Sequence, residues 1–155
     1  MVQNGRNSGE TGMRGGTIKR FEDMKVWQQG RELIREIYTL TRGAAFRQDH
    51  ALREQIRRAA ISIVLNIAEG FALGTDKEFR RFLIQAHGSV AEVQSALYIA
   101  LDEQYISQPD FDALYLSLEG LSKMILAFAR YLGNSNYRRL TSDSRPSTLD
   151  SKTHR

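Results

Sequence analysis

The chain has 155 residues, of which 41% are hydrophobic and 26% charged, a balance typical of a soluble globular domain. It has no cysteine, which excludes disulfides and thiolate chemistry, and no apolar run of the roughly 18 residues that a membrane span needs. The first residues lack the apolar centre of a secretory signal, so we expect a cytoplasmic location.

The net charge of +4 is concentrated at the two ends of the chain. Residues 1–20 hold four basic residues and one acidic residue, and residues 134–155 hold five basic and two acidic. The segment between them therefore has a net charge of −2. Both ends are poor in large apolar residues, so we expect two disordered basic tails. Such tails attract phosphate backbones, or they serve only as solubilising flanks.

Four segments between the tails have helical periodicity. Apolar positions recur every three or four residues from about 23 to 42, and again from about 49 to 69. The third segment begins at Thr75, which fits a capping box with Glu78, and runs to about residue 103. The fourth begins after Ser107, a capping residue type, and Pro109 suits its first turn.

Glycines are predicted to end two of these helices. Gly70 is expected to stop the second helix in a left-handed conformation, and Gly133 to stop the fourth. No segment shows strand-like alternation. The sequence thus predicts an all-α fold, an antiparallel up-down-up-down four-helix bundle over residues 21–133, with disordered tails over 1–20 and 134–155.

A line of polar side chains follows one narrow sector of the second helix, at about 100° per residue. Its members are Gln55, Ser62, Asn66 and Glu69, with Arg58 at the edge. The third helix has a companion line of Glu78, Gln85, Ser89 and Glu92. We expect a bonded network between the lines that sets helix register or subunit pairing. Acid–base chemistry by Glu69 and Glu92 is disfavoured, because the antiparallel count separates them.

The second helix is also apolar almost all round between Ala59 and Ala68, apart from that polar line. A helix in a simple four-helix bundle needs only one apolar face. Another subunit is the natural cover for the excess, so we expect a homo-oligomer. We also expect Ala59 and Ile63 to lie in a close-packed helical interface.

Basic residues form two groups on the helices and a pair in the C-terminal tail. These candidate nucleic-acid contacts are Arg53, Arg57 and Arg58, then Lys77, Arg80 and Arg81, and finally Arg138 and Arg139. The alternative is a solvated helix face with intrahelical pairs such as Glu54–Arg58. The three histidines lack metal-ligand spacing, and no phosphate-binding loop is present. We therefore expect no catalytic, cofactor or metal site.

The stretches FEDMKVWQQGREL, SIVLNIAEG and HGSVAEVQSALYIA carry a recognisable signature. It resembles the family of small four-helix-bundle proteins encoded in intervening sequences of bacterial 23S ribosomal RNA genes, over about residues 21–132. The matching positions are Phe21, Val26, Trp27, Gln55, Arg58, Ser62, Asn66, Ile67, Ala68, Glu69, Gly70, Phe79, Ser89 and Glu92. The resemblance implies a ring, typically a homopentamer, without established enzymatic activity.

The accessory variability proteins of diversity-generating retroelements are similar in fold to that family, and they bind a reverse transcriptase and its RNA. Fold alone does not establish function. The leading hypothesis is a non-enzymatic, homo-oligomeric protein, a pentameric ring, that binds RNA, DNA or a nucleic-acid enzyme such as a reverse transcriptase. The alternative is a scaffold for a protein partner, with no nucleic-acid role.

Overall fold

The computed structural model describes residues 18–143, and every regular element in that range is helical. A 3-10 turn at Phe21–Asp23 precedes five α-helices. These are α1 at Lys25–Thr41, α2 at Ala44–Gln48, α3 at His50–Ala72, α4 at Asp76–Asp102 and α5 at Gln108–Asp143. Most of the predicted N-terminal tail and the last part of the C-terminal tail lie outside the described residues.

The four long helices form an antiparallel up-down-up-down bundle, which confirms the predicted fold class. Consecutive long helices are neighbours, and α1 also contacts α5, so the four close around one core. Contacts between opposite helix ends show the antiparallel order. Arg57 near the start of α3 bonds to Thr41 at the end of α1, and Arg80 near the start of α4 lies against Gly133 far along α5. The short α2 lies in the connection between α1 and α3.

Each long helix contributes its predicted apolar stripe to the core. The largest side chains with almost no exposure come from all four helices: Ile37, Ile56, Ile63, Ile67, Leu83, Val90, Val93, Leu97, Leu118, Leu121 and Ile125. Phe46 of α2 is equally buried, and its ring centroid lies 5.4 Å from that of Tyr105 in the α4–α5 connection. The short helix therefore closes one end of the core.

Side-chain caps begin three of the helices. The backbone N–H of Glu78 donates to Thr75 Oγ1 over 3.2 Å, and that of Asp110 donates to Ser107 Oγ over 3.2 Å, as predicted. Asp49 caps α3 in the same way through Leu52. The capping box at Thr75 is only half formed, because the Glu78 carboxylate binds Arg81 instead.

The predicted stop at Gly70 is wrong, since α3 continues through it to Ala72. Gly70 is buried where α3 and α4 approach each other closely. A methyl group there would lie 2.6 Å from Phe82 Cβ and 3.0 Å from Phe79 Cδ2. The left-handed residue of this turn is Gly74, with φ of 78°. Gly70 is thus required for packing and not for ending a helix.

The predicted stop at Gly133 is also wrong, because α5 runs on to Asp143. A glycine inside a helix costs only about 1 kcal/mol, so it cannot end a helix whose continuation is otherwise favourable. Here the space above Gly133 is filled by Arg80, whose Nε would lie 3.1 Å from a methyl group at that position. The helix therefore continues for ten residues beyond the predicted stop.

Part of the excess apolar surface of α3 is covered within the chain. Val64 of α3 packs directly against the Gly30 backbone of α1, where a methyl group would lie only 2.8 Å from Val64 Cγ1. Ala59 and Ile63 are buried, as expected for a close-packed interface. Leu65, however, remains 60% exposed on the outer side of α3.

Candidate nucleic-acid interface

One end of the bundle gathers the second basic group. Lys77, Arg80 and Arg81 lie in the first two turns of α4, beside the last part of α5. The Arg81 guanidinium bonds to Glu78 over 2.8 and 3.0 Å and lies 4.6 Å from the centroid of the Phe82 ring. Lys77 and Arg80 are exposed and pair with no carboxylate among the described residues, so both remain available to a phosphate.

The extension of α5 places Arg138 and Arg139 at the same end. Arg80 is level with Gly133, and α4 begins only four residues before Arg80, so α5 continues past the start of α4. The ten residues after Gly133 add about 15 Å of helix. This part of the predicted basic tail is therefore a helical arm that continues from the bundle.

The first basic group lies at the opposite end, and the structure does not bring the two groups together. Arg57 is half-buried: its Nε donates to Thr41 Oγ1 over 2.7 Å, and its guanidinium lies 4.3 Å from the Tyr38 ring centroid. Arg57 thus joins α1 to α3. A guanidinium nitrogen of Arg53 lies 3.2 Å from His50 Nδ1. Arg58 is exposed, and in the described part of the chain it forms no ion pair with Glu54.

A compact polar network joins α3 to α4 through three of the predicted side chains. Asn66 Nδ2 donates to the carbonyl oxygen and Oγ of Ser62, over 2.8 and 2.9 Å. Ser62 and Ser89 hydroxyls are 2.9 Å apart, and Ser89 donates to the Gln85 carbonyl over 3.2 Å. These directions agree if Ser62 donates to Ser89. The network therefore sets the register of α3 against α4 without an unsatisfied hydroxyl.

The side chains of the other members of the two polar lines lie outside this network. The exposed side chains are those of Gln55, Glu69, Gln85 and Glu92, together with Arg58 at the edge of the first line, whereas Glu78 is half-buried and binds Arg81. With Ser62 level with Ser89, Glu69 lies level with Phe82, about 15 Å along the helix axis from Glu92. The two carboxylates therefore cannot act on one atom, and their placement argues against paired acid–base chemistry.

The histidines and acidic residues of the described part of the chain do not form a metal site. Within residues 18–143 no group of three histidine or acidic side chains is placed to hold a metal ion. His87 is half-buried, with Nδ1 2.9 Å from Ser122 Oγ on α5, a contact that the helical pattern did not indicate. No helix in the same range is long and apolar enough to cross a membrane.

Two features of the surface could not be derived from helical spacing. Arg130 and the 67% exposed Tyr131 lie on α5 one turn before Gly133, so they belong to the basic end. An aromatic cluster of Tyr98, Phe111 and Tyr115 lies at the other end of α4 and α5. Their sequence signal is only that the tyrosines fall beside the core stripes of their helices, whereas Phe111 belongs to its stripe.

Comparisons with known proteins agree with this architecture. The family model of the 23S rRNA-intervening sequence protein matches residues 22–127. The fold is similar to the crystal structure of a protein with unknown function from the S23 ribosomal protein family of Bacteroides thetaiotaomicron VPI-5482, with a TM-score of 0.62. The two chains are 20% identical, and the match covers 67% of this chain and 97% of that one. At this identity the likeness shows the fold alone.

No curated protein gives a significant match to this sequence. The family model nevertheless covers well over half of the chain, including α1, α3, α4 and most of the core-forming part of α5. The chain therefore belongs to the family of 23S rRNA-intervening sequence proteins.

Proposed function

We propose that this protein is a non-enzymatic, cytoplasmic homo-oligomer, a pentameric ring, that binds RNA or DNA through its basic end. A nucleic-acid enzyme such as a reverse transcriptase is the protein partner that this role implies. The observation that carries the proposal is the meeting of three sets of basic residues at one end of the bundle. They come from the start of α4, from the turn of α5 just before Gly133, and from the helical arm beyond Gly133.

The charge at this end favours a polyanion. Lys77, Arg80 and Arg130 are exposed without a carboxylate partner in the described residues, whereas Arg81 is held by Glu78. Guanidinium and ammonium groups that are free of internal ion pairs displace counterions from a phosphate backbone, which is the main source of affinity in such complexes. Arg138 and Arg139 extend the same charge along the arm.

The outer surface of α3 and α4 supports self-association. Leu65 projects there from α3, and Ile84 and Ile99 project from α4. All three are exposed, and the two isoleucines are separated by about 22 Å along α4. Exposed apolar residues spread along one face in this way are a common mark of a subunit interface. A ring built on this face repeats the basic end once per subunit, so weak contacts add through multivalency.

A charge-matched pair of triple variants tests the nucleic-acid proposal. K77Q/R80Q/R130Q removes three contacts from the basic end, and R42Q/R47Q/R58Q removes the same charge from the opposite end. Binding of a fluorescent 20-nucleotide RNA is followed by anisotropy over a range of salt concentrations. The first variant should bind at least about tenfold more weakly, with a salt slope shallower by about 2. The second variant should stay within about twofold of the wild type, because distant surface charges add little to a local contact.

The reverse pattern would place the interface at the opposite end and contradict the proposal. If the wild type fails to bind RNA or DNA even at low salt, the alternative role as a scaffold for a protein partner replaces it. The oligomer is tested separately by light scattering. The wild type should have a mass well above the 17.7 kDa of one chain, and L65E should reduce it. A wild-type mass of 17.7 kDa at micromolar concentration would exclude the ring.

A further inference from the structure

The end of the bundle opposite the basic end carries an exposed aromatic cluster. Tyr98 of α4 packs against Phe111 and Tyr115 of α5, with ring centroids 4.9 and 5.6 Å away, and the two α5 rings are 5.3 Å apart. Phe111 is buried, Tyr115 is half-buried, and Tyr98 remains 49% exposed. Leu116, next to Tyr115, is 69% exposed and widens the apolar surface.

This cluster lies in an acidic stretch of the chain, and the same end of the bundle also carries Arg42, Arg47 and Arg53 on or beside other helices. From Gly88 to Ser122 the chain has no lysine, arginine or histidine. The same stretch contains six acidic residues, namely Glu92, Asp102, Glu103, Asp110, Asp112 and Glu119. Every charged residue of that stretch is therefore acidic, including those on the same turns as the aromatic rings.

Two acidic residues are placed close to the rings. Asp102 follows Tyr98 by one helical turn, so both lie on the same side of α4. A hydrogen bond with Tyr98 raises the pKa of Tyr115, burial adds to the rise, and the negative charge of Glu119 acts in the same direction. Glu119 follows Tyr115 by one helical turn, so both lie on the same side of α5. The rings and carboxylates thus share one surface.

We propose that this surface, formed by Tyr98, Tyr115 and Leu116 with Asp102 and Glu119, docks an arginine-bearing segment of a partner protein. A guanidinium group stacks on aromatic rings and bonds to carboxylates at the same time, and this surface offers both. The two carboxylates repel a phosphate backbone, which disfavours nucleic acid on the rings themselves. The proposal goes beyond the nucleic-acid role, because it gives the opposite end of the bundle a separate protein partner.

Two labelled peptides probe the site on the full-length protein by fluorescence anisotropy at low salt. One has the sequence GRGRGRG, and the other has lysine in place of each arginine. The arginine peptide should bind several-fold more tightly, because the planar guanidinium stacks and the ammonium does not. Y98A should weaken the arginine peptide about fivefold, and Y98F should keep it within about twofold of the wild type. Y131A, which removes a comparably exposed ring at the basic end, is the matched control and should change nothing.

Five outcomes would overturn the proposal. Equal binding of both peptides would leave charge alone as the cause, and an unaltered affinity in Y98A would exclude the ring. A lower oligomer mass for Y98A would make the cluster a subunit interface, and weaker RNA binding by Y98A would make it a base-stacking surface. Tighter peptide binding after replacing Arg145, Lys152 and Arg155 by glutamine would instead identify this chain's own C-terminal residues as the occupant. Loss of RNA binding only in the basic-end variant would leave this proposal untouched.

Discussion

The bundle is closed tightly between α3 and α4 and loosely between α1 and α5. The α3–α4 contact is the tight seam, where Gly70 allows Phe79 and Phe82 to approach the α3 backbone and the Ser62 and Ser89 hydroxyls are hydrogen-bonded to each other. The α1–α5 contact is the loose seam, and two adjacent cavities of about 310 and 420 Å³ lie along the groove between these helices. Their lining residues include Glu32, Glu36, Ala113, Ser117 and Gly120.

The difference follows from the side chains at each seam. Small or apolar side chains and paired hydroxyls can be enclosed without cost to a polar group, so α3 and α4 approach closely. Carboxylates need water, so Glu32 and Glu36 keep the facing small residues of α5 at a distance. α1 is instead held from the α3 side, by Val64 against Gly30 and by Arg57 against Thr41. The bundle thus consists of three closely packed helices, α3, α4 and α5, to which α1 is attached mainly through α3.

The largest expected effect is that of a charge placed in the tight seam. Ala59 is buried beside that seam, and A59E should destabilise the fold by about 3–5 kcal/mol or abolish it, because the carboxylate has no partner. A51E makes the same change at an exposed position of the same helix and should be nearly neutral. Thermal unfolding followed by circular dichroism measures both. Equal melting temperatures for the two variants would show that the seam is open.

The same substitution at two glycines compares the seams directly. G70A should cost about 1–3 kcal/mol, because the new methyl group overlaps Phe82 and the helices must separate. G120A faces open space on the α1–α5 side, and it should stabilise by up to about 1 kcal/mol through helix propensity alone. Urea unfolding gives both free energies. A stabilised G70A protein would contradict the close approach of α3 to α4.

A smaller loss of stability is expected when the link between α1 and α3 is removed. R57Q removes the bond to Thr41 and the contact with the Tyr38 ring, and it should cost about 1–2 kcal/mol. R58Q, the neighbouring exposed arginine, should change stability by less than about 0.5 kcal/mol. Urea midpoints of the two variants test this. If both lose the same stability, α1 is not held through Arg57.

The smallest effect concerns the loose seam and depends on pH. Partial burial raises the pKa of Glu36 above its usual value, and the charge of Glu32 adds to the rise. A raised carboxyl pKa means that the ionised form is disfavoured in the folded state, so this group destabilises the fold as the pH rises through its pKa. E36Q should therefore melt slightly higher than the wild type at pH 7, and the difference should vanish near pH 3. R35Q, which breaks an exposed ion pair with Glu32, should show no such pH profile.

Local signals allowed the helices and most of their starts to be predicted. A cap such as Thr75 or Ser107 accepts a hydrogen bond from the backbone N–H three residues later, so the adjacent sequence is enough to identify its partner. The Ser62, Asn66 and Ser89 network was anticipated for a similar reason, because helical spacing places these side chains on facing lines. The family resemblance predicted the same fold over about residues 21–132, and the family model matches residues 22–127.

Only the tertiary structure decided what the glycines and arginines do. Gly70 and Gly133 look like helix stops in isolation, but each lies where a neighbouring helix supplies Phe82 or Arg80, residues distant in sequence. In the same way, Arg57 and Arg58 are equivalent in the sequence, yet only Arg57 meets Thr41. Helical periodicity depends on residues within a few positions, so the chain itself determines it. The partner of a side chain depends on the register between helices, which packing establishes only when the bundle forms.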